Sequence, residues 1–177
     1  MRILKKIIVI LIAVIVILLI VALFLKKDYV IERDVTINKP RSEVFSYIKF
    51  LKNQNEYSKW ARLDPKMKTA FAGTDGAPGF VSSWEGNKDV GKGEQEIKKI
   101  TEGESVETEI RFIKPWESVA HAKLIAEEIS TAQTRVKWSF SGHMPYPMNL
   151  MRIFGMEKMV GNDLQVGLNN LKAIQEK

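Results

Sequence analysis

Glu94, Glu96, Glu107 and Glu109 fall in two consecutive segments of alternating character, a spacing that would bring carboxylates together across neighbouring strands for acid and base work. Parity argues against that use. Val106, Ile110 and Phe112 share a face that excludes Glu107, Glu109 and Arg111, so these glutamates are expected on a solvated face, paired across strands with Lys or Arg. The two histidines make no stronger constellation. His121 alternates in register with Lys123 and Glu127, away from Ala120, Ala122, Leu124 and Ala126, and His143 stands beside Met144-Pro145-Tyr146-Pro147 with no evident partner for a nucleophilic relay. With two histidines and no cysteine, disulfides, thiolate metal sites, a cysteine nucleophile and a multi-histidine metal centre are excluded. The residues therefore predict no catalytic set, no metal and no cofactor.

The segment from Trp84 to Gly93 carries three glycines, Gly86, Gly91 and Gly93, around Lys88 and Asp89. A phosphate loop needs a Gly-Lys-Ser/Thr ending and a following helix, and here a strand pattern follows. The segment reads as a hairpin whose glycines supply positive φ or a bulge, with Trp84 near a cavity mouth. Aromatic and methionine side chains are plentiful where a pocket would be, and methionine allows irregular packing. Trp60, Trp84, Val106, Ile110, Trp138, Phe140, Met144, Tyr146, Met151, Phe154 and Gly167 are the expected cavity residues. Burying ~300 Å² of apolar ligand surface at ~25 cal/mol per Å² would supply about 7.5 kcal/mol before association costs, so useful affinity needs no polar motif.

The elements that must position these residues are legible from periodicity. Tyr29, Ile31, Val35 and Ile37 alternate with Glu32, Asp34 and Thr36, a first strand, and Asn38-Lys39-Pro40 ends it. Short helices are predicted over 40–48 and 51–60, with Asp64-Pro65 as a turn. Strands follow over 66–72, 80–85, 91–101, 105–113, 118–129 and 131–142, with one wet and one buried face. A long helix is predicted over 148–175, with an apolar stripe of Ile153, Met156, Val160, Leu164, Leu171 and Ile174 and with Gly167 in the remaining slot. A glycine there lets the helix approach the sheet or leaves room for a ligand. An antiparallel sheet with one buried face needs a cover, and the long helix is that cover.

Ahead of this domain, Ile7 to Leu25 contains no charged or polar side chain and no proline. As a helix it would span about 28 Å at ~1.5 Å per residue, close to the ~30 Å hydrocarbon core of a bilayer. It exceeds the usual apolar core of a signal peptide and lacks a small-x-small cleavage site, and it has no polar face to suit a core helix. The chain has 177 residues and a net charge of +6. Of its 27 basic residues, Arg2, Lys5, Lys6, Lys26 and Lys27 flank the apolar run, leaving 22 against 21 acids in residues 28–177. The basic excess thus belongs to a membrane boundary, and no basic stripe interleaved with aromatics points to nucleic acid. The expected organisation is a transmembrane anchor over 1–27, with residues 7–25 in the bilayer, and one domain over 28–177. The positive-inside rule favours a cytoplasmic N-terminus in the cytoplasmic membrane with the domain on the extracytoplasmic side.

Three stretches carry a resemblance: Trp-Ala-Arg-Leu-Asp-Pro-Lys-Met-Lys at 60–68, Ser-Trp-Glu-Gly-Asn-Lys-Asp-Val-Gly-Lys-Gly at 83–93, and residues 156–171 with Lys-Met-Val-Gly at 158–161 and Gly-Leu-Asn-Asn-Leu at 167–171. On these the chain resembles the START-like, or SRPBCC, superfamily over residues 29–177, particularly bacterial members labelled polyketide cyclase/dehydrase-like. The resemblance implies an α+β helix-grip fold, a curved antiparallel sheet wrapped around a long C-terminal helix, here preceded by one transmembrane helix. It also implies a cavity for lipids, sterols, hormones or polyketides, and it brings no catalytic motif. The leading expectation is a membrane-anchored domain that binds a hydrophobic small molecule or lipid without catalysis. The alternatives are a polyketide cyclase/dehydrase-like or lipid-modifying enzyme using Glu94 or His143, and a protein-interaction or stress-response module.

Overall fold

The computed structural model describes Arg2 to Lys177. An apolar helix α1 (Arg2–Phe24) leads into β1 (Asp28–Ile37), two short helices α2 (Arg41–Ile48) and α3 (Gln54–Tyr57), six further strands and a C-terminal helix α4 (Met156–Gln175). The strands are β2 (Lys68–Ala72), β3 (Val81–Glu85), β4 (Lys92–Thr101), β5 (Ser105–Lys114), β6 (Ser118–Ser130) and β7 (Gln133–His143). They form one antiparallel sheet in the order β1-β7-β6-β5-β4-β3-β2, so β1 closes onto the last strand. Register shifts in β4 at Lys92/Gly93 and Ile97/Lys99, and between Glu128 and Ser130, interrupt the pairing at points where bulges bend a sheet. The sheet and covering helix that the alternation and the C-terminal stripe predict thus make the α+β helix-grip arrangement that the resemblance implies.

Two helical expectations need correction. Residues 51–60 form no single helix but a tight turn at Leu51–Asn53, the four-residue α3, and a second tight turn at Trp60–Arg62. The predicted 148–175 helix is broken: Met148–Arg152 is a separate turn, Gly155 has φ +88°, and α4 begins only at Met156. A left-handed residue cannot continue a right-handed helix, and glycine takes that conformation without a Cβ penalty. Ile153, placed in the buried stripe by spacing, is therefore exposed.

The core gathers Ile31, Ile37, Phe45, Tyr57, Val136 and Trp138 against Met156, Leu164, Leu168 and Leu171 of α4. Helix α4 lies over β1 and touches β7, while α2 leans on β6. At Gly167 of α4 an added Cβ would sit 2.7 Å from Cζ3 of Trp138. The indole cannot retreat. Trp138 is almost wholly buried and meets Tyr57 and Trp60 edge-on, with ring centroids 5.7 and 6.2 Å away. The glycine slot in the stripe is thus a contact point for the sheet rather than part of a cavity wall.

The outer face carries the glutamates. Arg111 on β5 donates Nε to Glu94 at 2.6 Å and Nη1 to Glu96 at 2.8 Å, and it also pairs with Glu109. Glu107 pairs with Lys123 at 2.9 Å. Hydrogen bonds from Arg111 and then Lys98 hold the Glu96 carboxyl below its ordinary range, and the bond from Lys123 does the same for Glu107. His121 is exposed, and His143 shares a 2.7 Å hydrogen bond with Asp28.

Two outcomes are expected. Gly167→Val should lower the domain's unfolding free energy by about 1–3 kcal/mol, read from denaturant midpoints, because it overpacks a locked indole. Arg111→Gln should destabilise the domain at neutral pH, where it leaves three like charges side by side. A depressed carboxylate gives stability that is present above the ordinary carboxylate range and lost as pH falls through its folded value. The gap between variant and wild type should therefore narrow on acidification, measured by denaturation at neutral and acid pH.

Candidate ligand cavity

The inner face of the sheet follows strict parity: Ser82 and Trp84 on β3, Gly93, Gln95 and Ile97 on β4, Ile110 and Phe112 on β5, Ala122 on β6, and Trp138 and Phe140 on β7. Helix α4 covers the β1–β7 side only, so the inner face from β3 to β6 looks into a space of ≈ 360 Å³. The opposite wall is built by α3 and its flanking turns, through Leu51, Gln54, Asn55, Ser58, Trp60 and Ala61, and by Val160 and Leu164 of α4. That wall is tied down by charge. The Asp75 carboxylate accepts from the backbone N–H of Leu51 at 2.8 Å and of Lys52 at 3.1 Å, and Lys59 forms an ion pair with the mostly buried Asp163 of α4. Asn170 of α4 donates to the carbonyl of Tyr57 at 3.0 Å.

The deep wall is mainly apolar, with one polar strip. The side-chain amides of Gln54 and Gln95 face each other at 3.3 to 3.4 Å, Gln95 donates to Thr108 Oγ1 at 2.9 Å, and Thr108 donates to the Ala122 carbonyl at 3.3 Å. Gln54 and Gln95 line the cavity, so the amide pair can exchange partners with a polar group on a bound molecule. The titratable lining residues are Lys88, Asp89 and Lys114, all exposed at the opening together with Thr69 and Pro115.

Trp84 stands at the edge of this opening. It packs edge-on to Phe112 with centroids 6.0 Å apart and points its indole N–H at the Val90 carbonyl, 3.4 Å away. It can lie there because β4 has glycine beneath it: a Cβ on Gly93 would meet the indole at 2.5 Å. Gly91, at φ +70°, turns the hairpin, as the glycine pattern predicts.

Of the expected cavity residues, Trp60, Trp84, Ile110, Trp138 and Phe140 line this space. The others lie elsewhere. Val106 is in the close-packed core, Met144 packs against that core, and Gly167 is occupied by Trp138. Tyr146, Met151 and Phe154 are exposed on the β7–α4 connection, because the break at Gly155 turns that stretch away from the interior. Glu94 and His143 point out of the cavity, toward Arg111 and Asp28. The lining residues outside that expectation include apolar ones, among them Leu51, Phe112, Ala122 and Val160, and the polar Ser82, Gln95 and Gln54. The signal for Gln95 was its parity with Gly93 and Ile97.

No family model matches the chain, and no curated protein matches it. Solved structures do match in fold. Norcoclaurine synthase from Thalictrum flavum superposes with a TM-score of 0.65 at 8% identity, over 83% of this chain and 92% of that one. The ZhuI aromatase/cyclase from Streptomyces sp. R1128 gives 0.61 at 11% identity, over 84% and 94%. Ara h 8.0201 gives 0.57 at 17% identity, over 84% and 97%. These neighbours are Bet v1-like, SRPBCC-type proteins, and what this chain shares with them is the helix-grip fold of a seven-stranded antiparallel sheet closed over a C-terminal helix.

Proposed function

We propose that the chain is a membrane-anchored helix-grip protein whose cavity binds a hydrophobic small molecule or lipid without catalysing a reaction on it. The observation that carries this reading is the ≈ 360 Å³ cavity, walled by Trp60, Trp84, Ile110, Phe112, Trp138 and Phe140 around a single amide strip. Its size falls in the ~300–1,000 Å³ range of small-molecule sites, and its chemistry suits an apolar body with one hydrogen-bonding group. The glutamates that would serve acid–base chemistry are engaged on the outer surface with Arg111 and Lys123, His143 is engaged with Asp28, and His121 is exposed away from the cavity.

The anchor is residues 1–27 and the binding domain residues 28–177. Helix α1 runs for 23 residues with mean hydropathy 3.9 over its most apolar window, a length and composition that suit a membrane span. Its basic flanks favour a cytoplasmic N-terminus with the domain on the extracytoplasmic face.

Binding is tested by native mass spectrometry of the full chain released from detergent, and by displacement of anilinonaphthalene sulfonate. A noncovalent adduct lost on denaturation, or saturable displacement by fatty acids, supports the reading. The double variant Ser82→Leu/Ala122→Leu adds apolar bulk into empty space. It should keep or raise stability while weakening probe binding by about tenfold or more, equivalent to at least ~1.4 kcal/mol. Unchanged binding would remove this cavity as the site. For topology, protease added to right-side-out vesicles should degrade residues 28–177, whereas inside-out vesicles should protect them.

A further inference from the structure

The register of the sheet fixes which loops share an end. Asp28, the first residue of β1, pairs with His143, the last of β7; Ala120 near the start of β6 pairs with Gly142; Ser118 pairs with Phe112 near the end of β5; Lys92 pairs with both Lys114 and Glu85; and Glu85 pairs with Lys68. All these residues therefore lie at one end of the sheet. It is the end at which α1 enters the domain. It is also the end of the β3–β4 hairpin, the β5–β6 turn and the β7–α4 connection, which include the rim residues Lys88, Asp89, Lys114 and Pro115 of the cavity mouth.

Helix α1 is fastened to this end. The buried Asn149 donates Nδ2 to the carbonyls of Ala22 at 2.7 Å and Leu25 at 3.1 Å, two of the acceptors a helix C-terminus leaves unpaired. Arg152 donates to the carbonyls of Lys26 and Asp28 at 3.1 and 3.0 Å, and Met144 N–H donates to Lys27 at 2.8 Å. The turn Met148–Arg152 packs against α1, whose covered side is Leu18, Leu19, Ala22 and Leu25. Leu18 is about 10 Å below Leu25 along the helix axis, so a turn packed on that face reaches the depth at which interfacial segments bury their apolar side.

The exposed side chains at this end match such a surface. Trp116 at the tip of the β5–β6 turn is 73% exposed and Phe154 is 64% exposed, with Met148, Met151 and Leu63 also open to solvent. Indole and large apolar side chains are the ones that settle at the headgroup level. Lys66, Lys88 and Lys114 share this end with the exposed acids Asp89 and Glu117, so the attachment is carried by the apolar side chains rather than by charge.

We infer that this end of the domain rests on the bilayer, with Trp116 and Phe154 in the headgroup layer, so that the cavity mouth opens onto the membrane and takes its ligand from the lipid phase. The inference rests on α1 being a membrane span. The partner is the surface of the membrane that holds the anchor, and the ligand class is an amphiphile resident in that membrane.

The cysteine-free chain allows a direct test. Single variants Trp116→Cys, Phe154→Cys, Ala132→Cys and Ile15→Cys, each labelled with nitrobenzoxadiazole, are reconstituted as full chains in phosphatidylcholine vesicles containing phosphatidylglycerol. The first three positions lie on exposed turns, and circular dichroism checks the fold of each. The expected result is blue-shifted emission, quenched by lipids brominated near the headgroup, at 116 and 154, with water-like emission at 132 at the far end of the sheet. Water-like emission at 116 and 154 with a lipid-buried label at 15 would overturn the docking and leave the anchor standing. A water-exposed label at 15 would overturn the anchor and the docking with it.

Discussion

The contact of Gly167 with the Trp138 indole sets how the only long helix of the domain sits on its sheet. Without a Cβ at that slot, α4 settles onto β1 and β7 at close range, and Leu164, Leu168 and Leu171 lock it there. A helix about 10 Å across cannot at the same time cover the inner face from β3 to β6. That half is roofed instead by short pieces, α3 and the turns on either side of it. They are fixed over the sheet by Asp75, by the Lys59–Asp163 pair and by the Gln54–Gln95 amides. The cavity is the space left between a well-seated helix and a propped roof.

Trp138 therefore has two surfaces with different roles. One supports α4 and the other forms the cavity wall beside Phe140 and Trp60. An interior void of this size would ordinarily cost the dispersion contacts of every side chain around it. Here the lining combines large aromatic walls with an opening at Lys88, Asp89 and Lys114 and with one hydrogen-bonded polar strip. The space is thus accessible, and its polar groups are satisfied even when nothing occupies it. A molecule filling it would regain the dispersion energy without having to break the core.

Strand alternation carried most of the fold in the sequence, because one face of the sheet is solvated and the other is not. The same parity identified Ile110, Trp138 and Phe140 as inward-facing and moved the glutamates outward. What failed was continuity. Ile153, Met156 and Val160 keep helical spacing across Gly155, and nothing in that spacing distinguishes a glycine tolerated inside a helix from one at φ +88° that ends it. The residues before the break were consequently assigned to the interior, and Tyr146, Met151 and Phe154 with them. Gln95 and Ser82 were passed over for a different reason: polarity outweighed parity, although both share the face of Trp84 and Ile97. Trp60 reaches the cavity from a tight turn and Gln54 from the four-residue α3, pieces too short to show a period, so the tertiary tethers decide direction.

Antiparallel order imposes one further consequence. In a meander of hairpins successive connections alternate between the two ends of the sheet, so the end reached by any loop follows from counting strands. Because β1 pairs with β7, the chain enters the sheet at the end where it later leaves it for α4, and the β3–β4 and β5–β6 connections must join them there. The composition of the loops follows the same division. The entry end displays Trp116, Leu63, Met151 and Phe154, whereas the far end exposes Phe71 and Ile129 among polar and small turn residues such as Glu102, Gly103, Glu104, Thr131 and Ala132. The two most exposed rings of the domain, Trp116 and Phe154, nevertheless both lie beside α1. Their position suits a lipid surface at that end, since an exposed apolar side chain costs little where the solvent is itself partly apolar.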